Sequence, residues 1–275
     1  MSRLKHTFDR LRASRRAAMI PFFTAGDPEP GVTVPMLQAL AAAGADIIEV
    51  GVPFSDPMAD GPTIQQANER ALRHHVNLRQ VLGAVAAFRQ GDQDTPVVLM
   101  GYLNPVEVMG YAAFAEAAAQ AGVDGVITVD LPPEEADDLV RELRQRDIDP
   151  IFLLAPTSSE ERIQLVAQQA SGFVYYVSMR GVTGAGGLDT AAVAAKLEAV
   201  RRQTTLPVGV GFGIQDAETA AAVARMADAV VVGSAVVKEI AAARDANDAV
   251  RRASALVKGL AAAVHGAREP LQESV

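Results

Sequence analysis

Eight short runs of branched apolar residues recur along the chain, and they alternate with alanine-rich stretches that have helical spacing. The runs are near-continuous rather than alternating, which is typical of parallel strands covered on both faces. The intervening helices supply the crossover connections that parallel pairing requires. The predicted strands are 18–24, 47–51, 97–101, 125–129, 150–154, 173–178, 207–211 and 229–233.

This repeat predicts a (β/α)8 TIM barrel, because eight units in about 250 residues is the usual size of that fold. A doubly wound open sheet is the alternative. We expect a single domain over 1–275, with an added N-terminal helix over 1–16 and a flexible tail over 267–275. The longer gap between the second and third strands predicts an insertion with helices over 63–73 and 78–88. Between the fourth and fifth strands, the spacing of apolar residues predicts a helix over 134–146.

The first 16 residues carry six basic side chains and one acidic one, and no apolar segment of an export signal follows them. Leu4, Phe8 and Leu11 are spaced as one face of a short amphipathic helix that lies against the body. The whole chain has a net charge of −8, contains no cysteine and has no apolar stretch approaching the ~20 residues of a membrane span. We therefore expect a cytoplasmic protein that binds neither nucleic acid nor membrane.

Glu49 is the least expected residue of the predicted strands, because an ionised carboxylate inside an apolar strand is costly unless it is paired. One interpretation is a structural salt bridge to a neighbouring strand. No arginine or lysine lies within any of the eight runs, so we favour a functional role. Burial would raise the pKa of Glu49, which suits a general acid near neutral pH.

Three aspartates lie in the loops that follow the second and fourth strands. Asp60 precedes Gly61 and Pro62, where it could either act in the site or cap the next helix. Asp56 before Pro57 is better explained as a turn residue. Asp130 is open to a structural interpretation as well.

Glycines cluster in the loops after the last three predicted strands. In barrels of this type, these loops and a helix N-terminus often bind phosphate, because free backbone N–H groups and the helix dipole favour an anion. Gly233 and Ser234 have the pattern of such a helix start. Tight turns are the structural alternative for each glycine, yet three consecutive loops together favour a phosphate site.

The sequence offers few residues for Schiff-base or metal chemistry. All four lysines are predicted to lie in helices rather than at strand ends, which leaves no amine for a Schiff base. His74 and His75 are predicted to point to different sides of a helix, so they cannot share a metal. We expect no metal and no cofactor. We therefore expect acid/base chemistry by carboxyl groups on a phosphorylated small molecule.

The run from Ile48 to Pro62, IEVGVPFSDPMADGP, closely resembles the signature of the tryptophan synthase alpha subunit family. The resemblance covers nearly the whole chain. It continues through Pro21-Phe22, Asn104-Pro105, Asp130-Leu131-Pro132, Tyr175, Gly181–Gly184, Gly211–Ile214 and Gly233-Ser234.

The resemblance implies a retro-aldol cleavage of indole-3-glycerol phosphate to indole and glyceraldehyde 3-phosphate, without a cofactor on this subunit. The position of the family's acid/base matches Glu49, and its partner for the indole nitrogen matches Asp60. The phosphate-binding positions match Gly184, Gly213, Gly233 and Ser234, with Gly211 in the same matching run. The positions that line the indole pocket or its lid match Phe22, Met100, Tyr175, Thr183 and Phe212.

The resemblance also implies a partner, the pyridoxal-phosphate-dependent tryptophan synthase beta subunit, in an α2β2 heterotetramer. The loop from Pro53 to Asp60 would form the docking face together with the segments near Asn104 and Pro132. Two alternatives remain open at this point. One is a stand-alone indole-releasing lyase of the same fold, and the other is a regulatory barrel that only activates a partner enzyme.

Overall fold

The computed structural model describes residues 2–178, 190–211 and 213–268, and its centre is a nearly closed barrel of parallel strands. Each strand pairs in parallel with its neighbours, in the order β5-β4-β3-β2-β1-β9-β8-β7-β6. The strands in the described part are β1 Ala18–Thr24, β2 Ile48–Gly51, β3 Val97–Gly101, β4 Gly125–Thr128, β5 Asp149–Ile151, β6 Leu153–Leu154, β7 Val174–Val177, β8 Val208–Gly211 and β9 Ala229–Val232.

The fifth predicted strand is divided into two pieces, β5 and β6, on either side of Phe152. The first piece pairs with β4 and the second with β7. The two ends of the sheet are therefore adjacent in the chain, which brings the sheet back upon itself. The (β/α)8 barrel is confirmed, and the alternative of a doubly wound open sheet is wrong.

Helices surround the barrel and account for the crossovers. Those in the described residues are α1 Arg3–Ala13, α2 Thr33–Ala42, α3 Pro62–Leu72, α4 Leu78–Phe88, α5 Leu103–Met109, α6 Tyr111–Ala121, α7 Asp137–Arg144, α8 Glu160–Gln169, α9 Thr190–Arg201, α10 Ala217–Ala224, α11 Ser234–Ala241 and α12 Ala246–His265. The insertion after β2 contains α3 and α4, as predicted. No helix in the described segments is long and apolar enough to cross a membrane.

Two local predictions are wrong. The helix expected from Glu134 begins at Asp137, because Pro133–Glu135 form a separate 3-10 turn. His74 and His75 do not lie on a helix but in the turn after α3, where His75 has a φ of 58°.

The N-terminal helix α1 lies across the end of the barrel at which the strands begin. Leu4, Phe8 and Leu11 are almost completely buried, as the spacing predicts. The Phe8 ring is 5.7 Å from that of Phe173, which precedes β7. The helix therefore closes this end and leaves the other end open for a site.

Candidate active site

A cavity of about 290 Å³ opens at the ends of the strands where the barrel loops carry the predicted site. It brings together residues from all eight predicted strands or the loops that follow them. The predicted site residues in its wall are Phe22, Glu49, Asp60, Met100, Tyr175, Gly213, Gly233 and Ser234. Thr183, Gly184 and Phe212 lie outside the described residues.

Glu49 forms part of this wall and exposes none of its surface to solvent. On β2 it lies between Phe22 of β1 and Val98 of β3, so its strand neighbours offer no charge. Neither carboxylate oxygen has a hydrogen-bond partner among the described residues. Burial raises the pKa of Glu49 to about 8, which keeps the carboxyl group protonated at neutral pH.

Tyr175 lines the same cavity, and the Glu49 carboxyl group influences the pKa of its phenol. Burial, and secondarily the charge of Glu49, raise the pKa of Tyr175 well above its usual value. The tyrosine therefore stays neutral. The structural salt bridge considered for Glu49 is absent among the described residues, where no cation is paired with it.

Asp60 lies in the loop after β2, and a tyrosine that the sequence analysis did not identify holds it. The Tyr102 hydroxyl donates to Asp60 Oδ2 at 3.2 Å and accepts from the Ala59 backbone N–H at 2.9 Å. The Tyr102 ring stacks on Phe54 with centroids 4.9 Å apart. Burial raises the pKa of Asp60, while hydrogen bonds from Tyr102 and Asn68 lower it.

The capping interpretation of Asp60 is wrong, since Gly61 is the N-cap of α3 and no side chain caps this helix. The other two aspartates are bound locally. Asp56 accepts a hydrogen bond from the Ser55 hydroxyl at 2.5 Å, as suits a turn residue. Asp130 Oδ1 accepts from the Leu103 backbone N–H at 2.8 Å, which fixes the start of α5.

The part of the cavity wall that follows β9 has the character of an anion site. Helix α11 starts at Ser234 after the N-cap Gly233, and no side chain of a described residue caps its first N–H groups. These unpaired donors and the helix dipole favour a negative charge. Gly213 has a φ of +80°, a conformation that favours glycine.

Gly211 supports the site from behind rather than lining the cavity. A Cβ atom at this position would lie 2.2 Å from the Tyr175 hydroxyl oxygen and 2.8 Å from two carbons of the ring. Gly51 has the same relation to Phe22, whose Cζ would be 2.7 Å from an added Cβ. Glycine at these two strand positions leaves room for the aromatic side chains of the cavity.

Lys238 corrects the expectation that no amine stands at the site. It lies in α11, as predicted for all four lysines, but it is exposed and lines the cavity beside Gly233 and Ser234. Four residues separate Ser234 from Lys238, so the helix turns both toward the same side. The helical phase was the signal that could have identified it. Its position beside the uncapped N–H groups suits the binding of a phosphate.

Within the described ranges no group of three or more histidine, cysteine, aspartate or glutamate side chains is placed to hold a metal ion. The cavity thus combines a buried neutral carboxylic acid, a second carboxylate bound by a tyrosine, aromatic and apolar walls, and an anion site. The neutral carboxylic acid can donate a proton to an apolar ring in this cavity while the anion site holds a phosphate group attached to that ring.

Comparisons with known proteins agree with this chemistry. The sequence model of the family described as "Tryptophan synthase alpha chain" matches residues 8–265. The tryptophan synthase alpha chain of Thioalkalivibrio sulfidiphilus is 67% identical over 252 residues, 92% of this chain and 95% of that protein.

Solved structures give the same result. The tryptophan synthase alpha subunit of Legionella pneumophila superposes with a TM-score of 0.90 at 44% identity, covering 97% of this chain and 99% of that one. An open form of tryptophan synthase from M. tuberculosis gives 0.86 at 40% identity, with 96% and 99% covered. This chain therefore belongs to the tryptophan synthase alpha chain family.

Proposed function

We propose that Glu49 and Asp60 perform the alpha reaction of tryptophan synthase, the retro-aldol cleavage of indole-3-glycerol phosphate to indole and glyceraldehyde 3-phosphate. The observation that carries this assignment is the Glu49 carboxyl group, which is buried, unpaired among the described residues and raised in pKa to about 8. The enzyme is a carbon-carbon lyase of tryptophan biosynthesis.

Glu49 supplies the proton that the reaction needs. Indole leaves as a carbon group, which becomes feasible once its C3 is protonated. The carbon-carbon bond then breaks with its electron pair returning to the ring, and the side-chain hydroxyl becomes the aldehyde. The hydroxyl proton must be accepted for the reaction to balance, and the carboxylate left on Glu49 is a base at the same place.

Asp60 stabilises the charge that develops at the other side of the ring. Protonation at C3 spreads positive charge toward the indole nitrogen, and a carboxylate that accepts the N–H hydrogen bond stabilises it. Tyr102 orients this carboxylate through its 3.2 Å hydrogen bond. Phe22, Met100 and Tyr175 provide the apolar wall for the ring.

The remaining predicted residues act on the phosphate or the lid. Gly213, Gly233 and Ser234 bind the phosphate with backbone N–H groups, and Lys238 adds a positive charge beside them. We propose the same role for Gly184, and we place Thr183 and Phe212 at the indole pocket or its lid, on the resemblance alone. Gly211 contributes by leaving space for Tyr175.

The family works with a beta subunit, and we propose that this chain forms an α2β2 heterotetramer as a single-domain subunit in the cytoplasm. Two large apolar side chains, Met58 of the β2 loop and Val108 of α5, are about 80% exposed near the open end of the barrel. These lie in or next to the docking face predicted from Pro53–Asp60 and Asn104. Neither alternative, a stand-alone lyase or a purely regulatory barrel, is supported by a specific observation.

The assignment of Asp60 is tested by replacing it with asparagine and measuring indole release from indole-3-glycerol phosphate. We expect kcat to fall about 10- to 100-fold, because a neutral amide does not stabilise the ring charge. Asp56→Asn is the matched control, since Asp56 lies four residues away in the same loop and is exposed. Equal activity of Asp60→Asn and Asp56→Asn would contradict the role of Asp60.

A further inference from the structure

A second and larger cavity, of about 610 Å³, lies at the opposite end of the barrel, where the strands begin. Of the residues that the structure describes, five arginines and a single acidic residue, Asp228, line it. We call it the arginine cavity and define it by Arg12, Arg15, Arg16, Arg225 and Arg268. From these observations we propose that it binds a small organic molecule bearing a multiply charged phosphate group.

The arginines converge from separate parts of the chain. Arg12 is in the last turn of α1, Arg15 and Arg16 follow that helix, and Arg225 follows α10. Arg268 comes after α12 and donates hydrogen bonds to the carbonyl oxygens of Ala224 and Ala227. Because the chain as a whole has a net charge of −8, this concentration of positive charge is not a reflection of composition.

None of these five arginines forms a salt bridge with a residue in the described part of the chain. Asp228, the acidic residue of the cavity, is instead bound to Arg201 at 3.3 Å. Arg16 Nε is buried and has no hydrogen-bond partner there. The like charges therefore stand close together, and Asp228 compensates them only in part, so an arriving anion would be attracted.

The effect of this crowding is visible at Arg268. Burial lowers the pKa of its guanidinium group, Asp228 opposes this, and the charges of Arg201 and Arg15 lower it further.

Helix dipoles stabilise part of this charge, because Arg12 is in the last turn of α1, Arg225 is the C-cap of α10 and Arg268 donates to the Ala224 carbonyl at the end of α10. Each helix end carries only about half a negative charge, which does not neutralise five guanidinium groups.

The chemistry of the wall defines the class of ligand. Guanidinium groups bind phosphate oxygens in bidentate fashion, and several of them suit a ligand with more than one charge. Phe8, Leu11 and Pro207 give the same cavity an apolar side, which suits an organic body. Its volume lies in the range of small-molecule sites. The cavity is at the end of the barrel remote from Glu49, so this ligand is not the substrate of the lyase reaction.

The proposal is tested by calorimetric titration of the full chain with pyrophosphate in a Lys238→Gln background, which weakens the phosphate site at the barrel mouth and lies outside the arginine cavity. We expect one pyrophosphate per chain. The double variant Arg15→Gln/Arg225→Gln should weaken binding about tenfold or more, because two charged hydrogen-bond donors are lost. Neither side chain has a hydrogen bond or ion pair to a described residue, and the substitutions relieve repulsion among the arginines, so in the absence of pyrophosphate the double variant should be at least as stable as the wild type.

Arg79→Gln/Arg202→Gln is the control, since it removes the same charge from two exposed arginines outside the cavity. It should change pyrophosphate affinity by less than about twofold. The proposal is overturned if pyrophosphate binds no better than sulfate at equal ionic strength, or if both double variants lose affinity equally. It is also overturned if pyrophosphate binds only after residues 269–275, which carry Glu269 and Glu273, are removed.

Discussion

Two carboxylates are buried at different levels of the same barrel, and their surroundings are opposite. Glu49 of β2 faces the open end, and neither of its oxygens finds a partner among the described residues. Asp124 lies just before β4 at the closed end, where Arg89 Nη2 at 2.7 Å, Arg3 Nη1 at 2.9 Å and the Val97 N–H at 2.8 Å all donate to it.

The difference separates a structural carboxylate from a reactive one. The donors around Asp124 let its carboxyl group tie chain segments together, whereas Glu49, which has no such donors, is held in its protonated form. Arginines therefore lie beside Asp124, where an ion pair stabilises the fold, and none is paired with Glu49 among the described residues, where a proton is needed for the reaction. Burying the Glu49 carboxyl group without a partner costs folding free energy, and we attribute this cost to the role of Glu49 in the reaction.

The largest expected effect is that of Glu49→Gln on catalysis. Glutamine keeps the shape of the side chain but has no acidic proton to give to indole C3, so kcat should fall by about 10²- to 10⁴-fold. Indole release in steady state is the measurement. If the glutamine variant retained near-full turnover, Glu49 would not be the acid, and the comparison with Asp124 would lose its meaning.

Asp124→Asn should show the converse, a large loss of stability with little loss of activity. Without the charge of Asp124, the buried guanidinium of Arg89 keeps three backbone carbonyl acceptors, but its remaining carboxylate partner among the described residues is the more distant Asp92, at 3.9 Å. We expect the free energy of unfolding in urea to fall by about 3 kcal/mol. The turnover of the folded fraction should stay within about twofold of the wild type.

Asp138→Asn provides the reference for that experiment. Asp138 pairs with Arg141 at 2.7 Å, but both side chains are more than half exposed, so the loss of this pair should change stability far less. Equal destabilisation by the two substitutions would mean that burial does not distinguish the Asp124 pair.

The strands and Glu49 could be predicted from sequence because both depend on local information. A continuous apolar run marks a buried parallel strand, and a single carboxylate within it is conspicuous whatever the tertiary structure. The division of the fifth strand at Phe152 could not be predicted, since it depends on which neighbours the two halves reach. The same is true of the helix that begins at Asp137 rather than Glu134.

The partners of the site residues required the fold. Tyr102 is 42 residues from Asp60, and no local pattern connects them. Lys238 was placed correctly on a helix, yet its reach into the cavity depends on how α11 is oriented. Likewise the basic N-terminus was evident from the sequence, but only the structure adds Arg225 and Arg268 to it.

The stability of the protein should also report the pKa of Glu49. The pKa is about 8 in the folded state against an ordinary 4.5, so between these values the folded chain binds a proton that the unfolded chain has released. Wild-type stability relative to Glu49→Gln should therefore fall with rising pH in this window, by up to about 1.4 kcal/mol per pH unit, and level off above pH 8. A constant difference from pH 5 to pH 8 would show that Glu49 ionises normally.

The smallest expected effect concerns Tyr102→Phe, which keeps the ring on Phe54 and removes the hydroxyl that holds Asp60. We expect kcat to fall about 3- to 10-fold, because Asp60 loses one neutral hydrogen bond and the orientation it gives. That hydrogen bond lowers the pKa of Asp60, so without it the acidic limb of the pH profile should move to higher pH. Tyr111→Phe removes a hydroxyl bound to Glu107 outside the cavity, and it should leave both kcat and that limb unchanged. A loss of activity in Tyr102→Phe without movement of the limb would mean that Tyr102 supports the loop only through the Ala59 N–H.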